Sequence, residues 1–222
     1  MSLKEKGTER KKKRNYFFLN FVKVTGSPVF LWMRPKILYA GKSRIGSIKG
    51  GALISANHTS FADPIFGYCT FWRRNLHLVA SKDLYNTKFK DFFFRNVQCI
   101  QVDKKNFSMK CFHEVEEVLS DNKLVMIFPE GQLNREKDTM LSFKGGAILM
   151  AHKAKKPVYP LYIIKGKKWY NRWYGVLGDP IDVYAQCGAM PSLEKVNEIS
   201  ELLKTKEEEL KEFYLESKYA KR

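Results

Sequence analysis

An α/β fold is what this sequence predicts: a mixed, mostly parallel sheet flanked by helices, with an N-terminal interfacial helical segment. Three observations carry that expectation. Short strand-like runs alternate with stretches of helical periodicity, the pattern of a sheet covered by helices. One run, Lys123–Phe128, is continuously apolar from Leu124 up to Pro129, as a strand buried on both faces must be. The chain has 222 residues, 44% of them hydrophobic, which suits one domain with a sizeable core and excludes a disordered chain.

The elements follow in order. Asn15–Val24 and Pro28–Met33 read as short amphipathic helices, because Lys23, Gly26 and Pro28 interrupt what would otherwise be one apolar stretch. Lys36–Ala40 and Ala52–Ala56 read as strands joined by the glycine-rich connection Gly41–Gly51. Asp63 before Pro64 reads as an N-cap followed by proline at the first helical position, opening a helix to Trp72. Leu76–Ala80 is the next strand, Thr87–Arg95 a helix and Val97–Val102 a strand. Asn106 would cap a helix with Phe107, Cys111, Val115, Val118 and Leu119 on one face. After the Lys123–Phe128 strand come a helix over Lys144–Ala154 and a strand over Pro157–Ile164. Trp173–Leu177 and Ile181–Tyr184 flank a Gly-Asp-Pro turn and suggest a hairpin. A last helix, Leu193–Tyr219, aligns Leu193, Val196, Ile199, Leu203, Leu210 and Phe213. The expected organisation is a basic tail with interface helices over 1–35, an α/β domain over 36–190, and a C-terminal amphipathic helix over 191–222 packed on that domain.

Charge narrows the partners. Forty Lys and Arg face 23 Asp and Glu, for a net charge of +17. Seven basic residues crowd between Lys4 and Arg14. Such an excess attracts polyanions: a nucleic acid, an anionic membrane surface or a phosphorylated substrate. Phe17, Phe18, Phe21 and Val22 directly follow the basic run, so the segment can lie in a bilayer interface with its cations among anionic headgroups. The alternative is a helix packed on the protein's own core. No signal peptide or spanning segment is expected. The lysine- and aromatic-rich stretch Lys165–Tyr174 fits a bilayer surface or a partly buried hairpin equally. The four cysteines form no C-x-x-C pair, which argues against a zinc ribbon or a secreted disulfide framework and for a reducing cytosolic setting.

Two loops at strand ends carry candidate chemistry, as expected of α/β sheets. The first is Asn57-His58-Thr59-Ser60-Phe61-Ala62-Asp63. A carboxylate that accepts from one imidazole nitrogen fixes the tautomer and leaves the other nitrogen as a base. If Asp63 starts a helix, the loop can turn back so that the two side chains meet; otherwise Asp63 simply caps that helix. The second is Phe128-Pro129-Glu130-Gly131, with Lys144-Gly145-Gly146-Ala147 opening the helix that follows. Glycine lets backbone approach a ligand, and a lysine at a helix N-terminus favours phosphate; the alternative is a plain turn with Glu130 solvated. His77, His113 and His152 show no metal-ligand spacing, and there is no Gly-x-Ser-x-Gly elbow.

Together the loops resemble the 1-acylglycerol-3-phosphate acyltransferase family of the phospholipid/glycerol acyltransferase superfamily. The matching residues are the histidine–four residues–aspartate motif from His58 to Asp63, the block Phe128–Gly131, the block Phe143–Ala147, Lys82-Asp83-Leu84, and Pro157–Leu161, all in the family's order between Lys36 and Asp182. The sequence departs from the family at Lys104, where arginine is usual, and at Gln132 and Leu133, where Thr or Ser and then Arg are usual, although Arg135 lies close by.

The resemblance implies a glycerol-phosphate-acyltransferase-like fold and an acyltransferase moving a fatty acyl group from an acyl thioester to a lysophospholipid hydroxyl. It implies His58 as general base and Asp63 as its partner. It also implies Lys82 near the developing oxyanion, and Lys104, Glu130, Gly131, Arg135 and Lys144 around the acceptor headgroup. No metal or resident cofactor is expected, acyl-CoA or acyl carrier protein being a co-substrate. The implied acceptor is 1-acyl-sn-glycerol-3-phosphate, another lyso-lipid or glycolipid being the alternative. The implied location is peripheral, on the cytoplasmic face of a membrane. A nucleic-acid-binding module is the competing class; the basic charge fits it, but no RRM, KH, zinc-finger or dsRBD signature accompanies that charge.

Overall fold

In the computed structural model, which describes residues 15–103, 109–135, 139–166, 168 and 171–220, seven strands form one sheet. They are β1 (Lys36–Tyr39), β2 (Ala52–Ala56), β3 (Leu76–Ser81), β4 (Ile100–Val102), β5 (Leu124–Ile127), β6 (Val158–Ile164) and β7 (Tyr174–Leu177), in the spatial order β1-β7-β6-β2-β5-β3-β4. All neighbouring pairs are parallel except β6 with β7.

The central strands are buried on both faces. Leu53, Val125, Ile127 and Val158 point to one side, where α5 (Met109–Ser120), α6 (Gly146–Ala154) and α8 (Leu193–Glu216) cover them. Ile54, Leu124, Met126 and Leu161 point to the other, against α2 (Ser27–Met33) and α3 (Asp63–Thr70). This alternation follows from the pleat. The predicted mixed, mostly parallel sheet is therefore the observed one.

The N-terminal segment crosses the sheet. α1 (Phe17–Thr25) begins beside the β3–β4 edge, where the Tyr16 hydroxyl lies 3.3 Å from His77 Nε2 and Gln98 Nε2 donates to the Asn15 carbonyl at 3.0 Å. α2 then runs directly into β1 at the opposite edge. Leu19 and Met33 are buried while Phe17 and Phe21 are exposed, so the helices both pack inward and present an apolar outer face. Among the described residues no helix is long and apolar enough to cross a membrane.

Several sequence expectations need correction. Trp173–Leu177 does not pair with Ile181–Tyr184: β7 pairs with β6 and β1, Ile181 makes a single bridge to Val158, and Val183–Cys187 is the short helix α7. The Gly-Asp-Pro turn is instead anchored sideways, Asp179 accepting from the backbone N–H of Ser43 (2.8 Å) and Lys42 (3.3 Å). The strand expected from Val97 begins only at Ile100, because α4 (Lys88–Asn96) unwinds through Gln98 at φ +64°. Ala62, not Asp63, stands at the N-cap of α3, and Asp63 is its first residue. Leu193 and Phe213 lie outside the buried stripe of α8. The expected cap Asn106 and Phe107 lie outside the described residues.

The same helix buries a carboxyl group that its pattern did not announce. Glu207 is fully buried, and its Oε1 accepts from Ser55 Oγ at 2.6 Å. Desolvation holds the Glu207 pKa well above the ordinary value of 4.5, with Ser55 opposing and the nearby Glu130 adding to the rise. A carboxyl with a raised folded-state pKa stabilises fully only below its unfolded value and loses that contribution as pH rises. Each pH unit between the two values costs about 1.4 kcal/mol. Glu207→Gln removes the titration. Urea unfolding at pH 5 and pH 8 should show the variant gaining on the native protein as pH rises. An unchanged difference between the two pH values would assign the burial no electrostatic cost.

Candidate active site

β2 and β5 are adjacent and parallel, with Ser55 opposite Ile127. Their carboxyl ends therefore deliver the Asn57–Asp63 and Phe128–Gly131 loops side by side. Asn57 is buried and fastens the first loop to β6: its Nδ2 donates to the Ile163 carbonyl (3.1 Å) and its Oδ1 accepts from the Ile163 N–H (2.6 Å).

The turn closes on Asp63. Its Oδ2 accepts from the backbone N–H of Thr59 (2.8 Å) and Ser60 (2.7 Å), and lies 3.1 Å from His58 Nδ1. An oxygen already accepting from two donors takes a third, so Nδ1 carries the proton and Nε2 is left as an acceptor. Asp63 is fully buried, whereas the His58 side chain is 18% exposed. The His58 ring stacks on Phe128, centroids 4.2 Å apart and planes 21° apart, which fixes its remaining freedom.

The second loop braces the first. Glu130 is only 3% exposed. Its Oε1 accepts from the His58 N–H at 2.9 Å and its Oε2 from the Leu141 N–H at 3.2 Å. Asn134 N–H donates to the His58 carbonyl at 2.7 Å. Both backbone groups of His58 are thus fixed from outside its own turn. Gly131 sits at φ +69°, and the Lys144 side chain passes 3.0 Å from where a Cβ would stand. Glycine at that position admits both the turn and the lysine.

His58 opens onto a cavity of about 750 Å³ whose walls are mainly apolar, among them Leu19, Ile65, Tyr68, Leu78, Phe94 and Met150. Its polar lining includes Gln132, Lys144 and Asp103. Cys69 and Cys99 also line it. Burial pushes the Cys69 thiol up to about 11 and the Cys99 thiol up to about 12, so neither is a ready nucleophile. A second cavity of about 510 Å³, between Leu31, Ile45 and Arg74, touches neither loop.

The other expected site residues divide. Gly131 and Lys144 line the cavity. Glu130 does not: its carboxylate is turned into the protein, bracing the loop. Lys82 is exposed and reaches Asp103 at 3.5 Å, and Arg135 is exposed and outside the lining. Lys104 lies outside the described residues. Sequence reasoning missed Asn57, Asn134 and the bracing role of Glu130. Only Asn57, beside His58, carried any local signal.

Comparison with known proteins now decides the family. The profile of the Acyltransferase family matches residues 36–164. The chain belongs to that family. A 1-acyl-sn-glycerol-3-phosphate acyltransferase of Helicobacter pylori is 30% identical over 131 residues, covering 58% of this chain and 55% of that protein. One from Bacillus subtilis is 24% identical over 165 residues, covering 72% of this chain and 81% of that protein. This acyltransferase-family chain thus spans about half of the first relative and most of the second. The crystal structure of a 1-acyl-sn-glycerophosphate (LPA) acyltransferase from Thermotoga maritima superposes with a TM-score of 0.59 at 22% identity, covering 87% of this chain and 79% of that one. That likeness establishes the fold.

Proposed function

We propose that the protein transfers a fatty acyl group from an acyl thioester to the hydroxyl of a lysophospholipid, with 1-acyl-sn-glycerol-3-phosphate as acceptor and phosphatidic acid as product. The observation that carries this reading is His58, oriented by a buried Asp63, at the wall of a large apolar cavity. The names of the relatives support the same acceptor.

The acceptor hydroxyl gives its proton to His58 Nε2 as its oxygen attacks the thioester carbonyl carbon. The tetrahedral oxyanion collapses, the C–S bond breaks, and the departing sulfur takes the proton back from the imidazolium. Asp63 stabilises that imidazolium and holds the ring. A base so placed contributes about 10²–10⁴-fold. The apolar walls take the fatty chain, and Lys144, beside Gly131, supplies positive charge for a phosphate headgroup. Lys82 and Lys104 remain in the proposal as further cations for the carbonyl oxygen and the headgroup. Acyl-CoA or acyl carrier protein serves as donor, with no resident cofactor. The protein works peripherally on the cytoplasmic face of a membrane, α1 and α2 in the interface.

Purified protein incubated with mixed acyl thioesters and a panel of lyso-lipids, lysophosphatidic acid included, tests this by product mass. Phosphatidic acid is the expected product. Acylation of another lyso-lipid alone would move the acceptor assignment, and no product from folded protein would overturn the reading.

A further inference from the structure

The outer surface around the cavity carries more exposed aromatic area than α1 and α2 account for. On α4, Phe93 and Phe94 line the cavity, whereas Phe89 and Phe92, one helical turn apart, are 75% and 55% exposed. Phe61, at the tip of the His58–Asp63 turn, is 78% exposed and also lines the cavity. A soluble surface seldom gathers apolar rings this way without a binding purpose.

Two further features identify the partner. Phe18 of α1 packs edge-on against Phe92 (5.7 Å) and Phe93 (6.3 Å), so the apolar faces of α1 and α4 adjoin. Exposed Lys88, Lys90 and Arg95 alternate with the phenylalanines of α4, against a single acid, Asp91. Rings that enter hydrocarbon, beside cations that stay at headgroup level, are the pattern of an interfacial helix on an anionic bilayer.

We propose that α4, together with Phe61, is a second membrane-contact element, independent of the N-terminal helices in sequence and adjoining them in space. The cavity rim then faces lipid on both sides, and a lysophospholipid can enter without its chain crossing water. That last step rests on the acyl-transfer reading; membrane contact by α4 does not.

The test is co-sedimentation of the full chain, without substrate, with vesicles of about three parts phosphatidylcholine to one part phosphatidylglycerol. The Phe89→Ser/Phe92→Ser double variant should partition about tenfold more weakly than the native protein, measured at a temperature where both are folded. Phe89→Ser alone should lose about threefold. Among the described residues its ring stacks on none of α1's, and it is 75% exposed, so its loss reports the outer surface rather than the packing of that helix. Lys88→Glu/Lys90→Glu should weaken binding at low salt to the anionic vesicles but not to pure phosphatidylcholine. Native-like partitioning of the double variant, or a loss seen with Phe92→Ser but not Phe89→Ser, would overturn the proposal. Since lipid binding is scored without turnover, its failure and the failure of the acyl-transfer reading are distinguishable.

Discussion

His58→Ala should reduce acyl transfer by about 10²–10⁴-fold, the worth of a positioned general base. The melting temperature should barely move. The ring is partly exposed, and its loss leaves Asp63 Oδ2 still accepting from Thr59 and Ser60. Asp63→Asn refines the result. The contacts with His58, Thr59 and Ser60 all converge on Asp63 Oδ2, and Oδ1 has no hydrogen-bond partner among the described residues. An asparagine oxygen can occupy the Oδ2 position and keep the turn closed, while the negative charge facing the imidazolium is gone. The expected outcome is a fall in kcat with little change in KM. If Asp63→Asn lowered only the melting temperature, Asp63 would be a structural residue. A folded His58→Ala protein with near-native turnover would remove the base from the mechanism altogether.

Glu130→Ala should act differently, through stability and rate together. The substitution strips the acceptors from the His58 and Leu141 N–H groups at a buried site. A hydrogen bond to a charged group is worth about 1.5–3 kcal/mol, so the pair amounts to about 3–6 kcal/mol. For a chain of this size that lowers the melting temperature by roughly 10 °C. The loosened His58 backbone should reduce kcat as well. A glutamate that instead held the acceptor headgroup would raise KM at constant melting temperature. Thermal unfolding measured alongside steady-state kinetics separates the two roles.

The parallel core was legible in the sequence because strands buried on both faces lose their polar alternation, and Leu124–Ile127 shows this plainly. The His58–Asp63 pairing was legible because both ends of the turn lie within one short segment. Features made by contacts distant in sequence were not legible. Nothing local marks Glu207 as the one acid of α8 to meet Ser55, 152 positions away. The family resemblance placed Glu130 at the acceptor headgroup, yet its partners are backbone groups contributed by other loops. The misread hairpin has a similar cause. The Gly-Asp-Pro segment has turn chemistry, but Asp179 directs both oxygens to the Gly41 connection, and the true partners of β7 are β6 and β1. On α4, the run Phe92–Phe94 concealed that its rings divide between cavity wall and outer surface.

The N-terminal segment is fastened at opposite margins of the sheet, through Tyr16 and Asn15 at one and through β1 at the other. It is therefore a girder bolted at two points rather than a leash. In the proposed peripheral arrangement, a lipid leaflet gripping it would set the tilt and height of the whole α/β body, instead of merely keeping that body nearby. In that arrangement, lengthening the short joint between α2 and β1 would leave the proposed adhesion intact and cost alignment, the property a reaction at an oil–water boundary most needs.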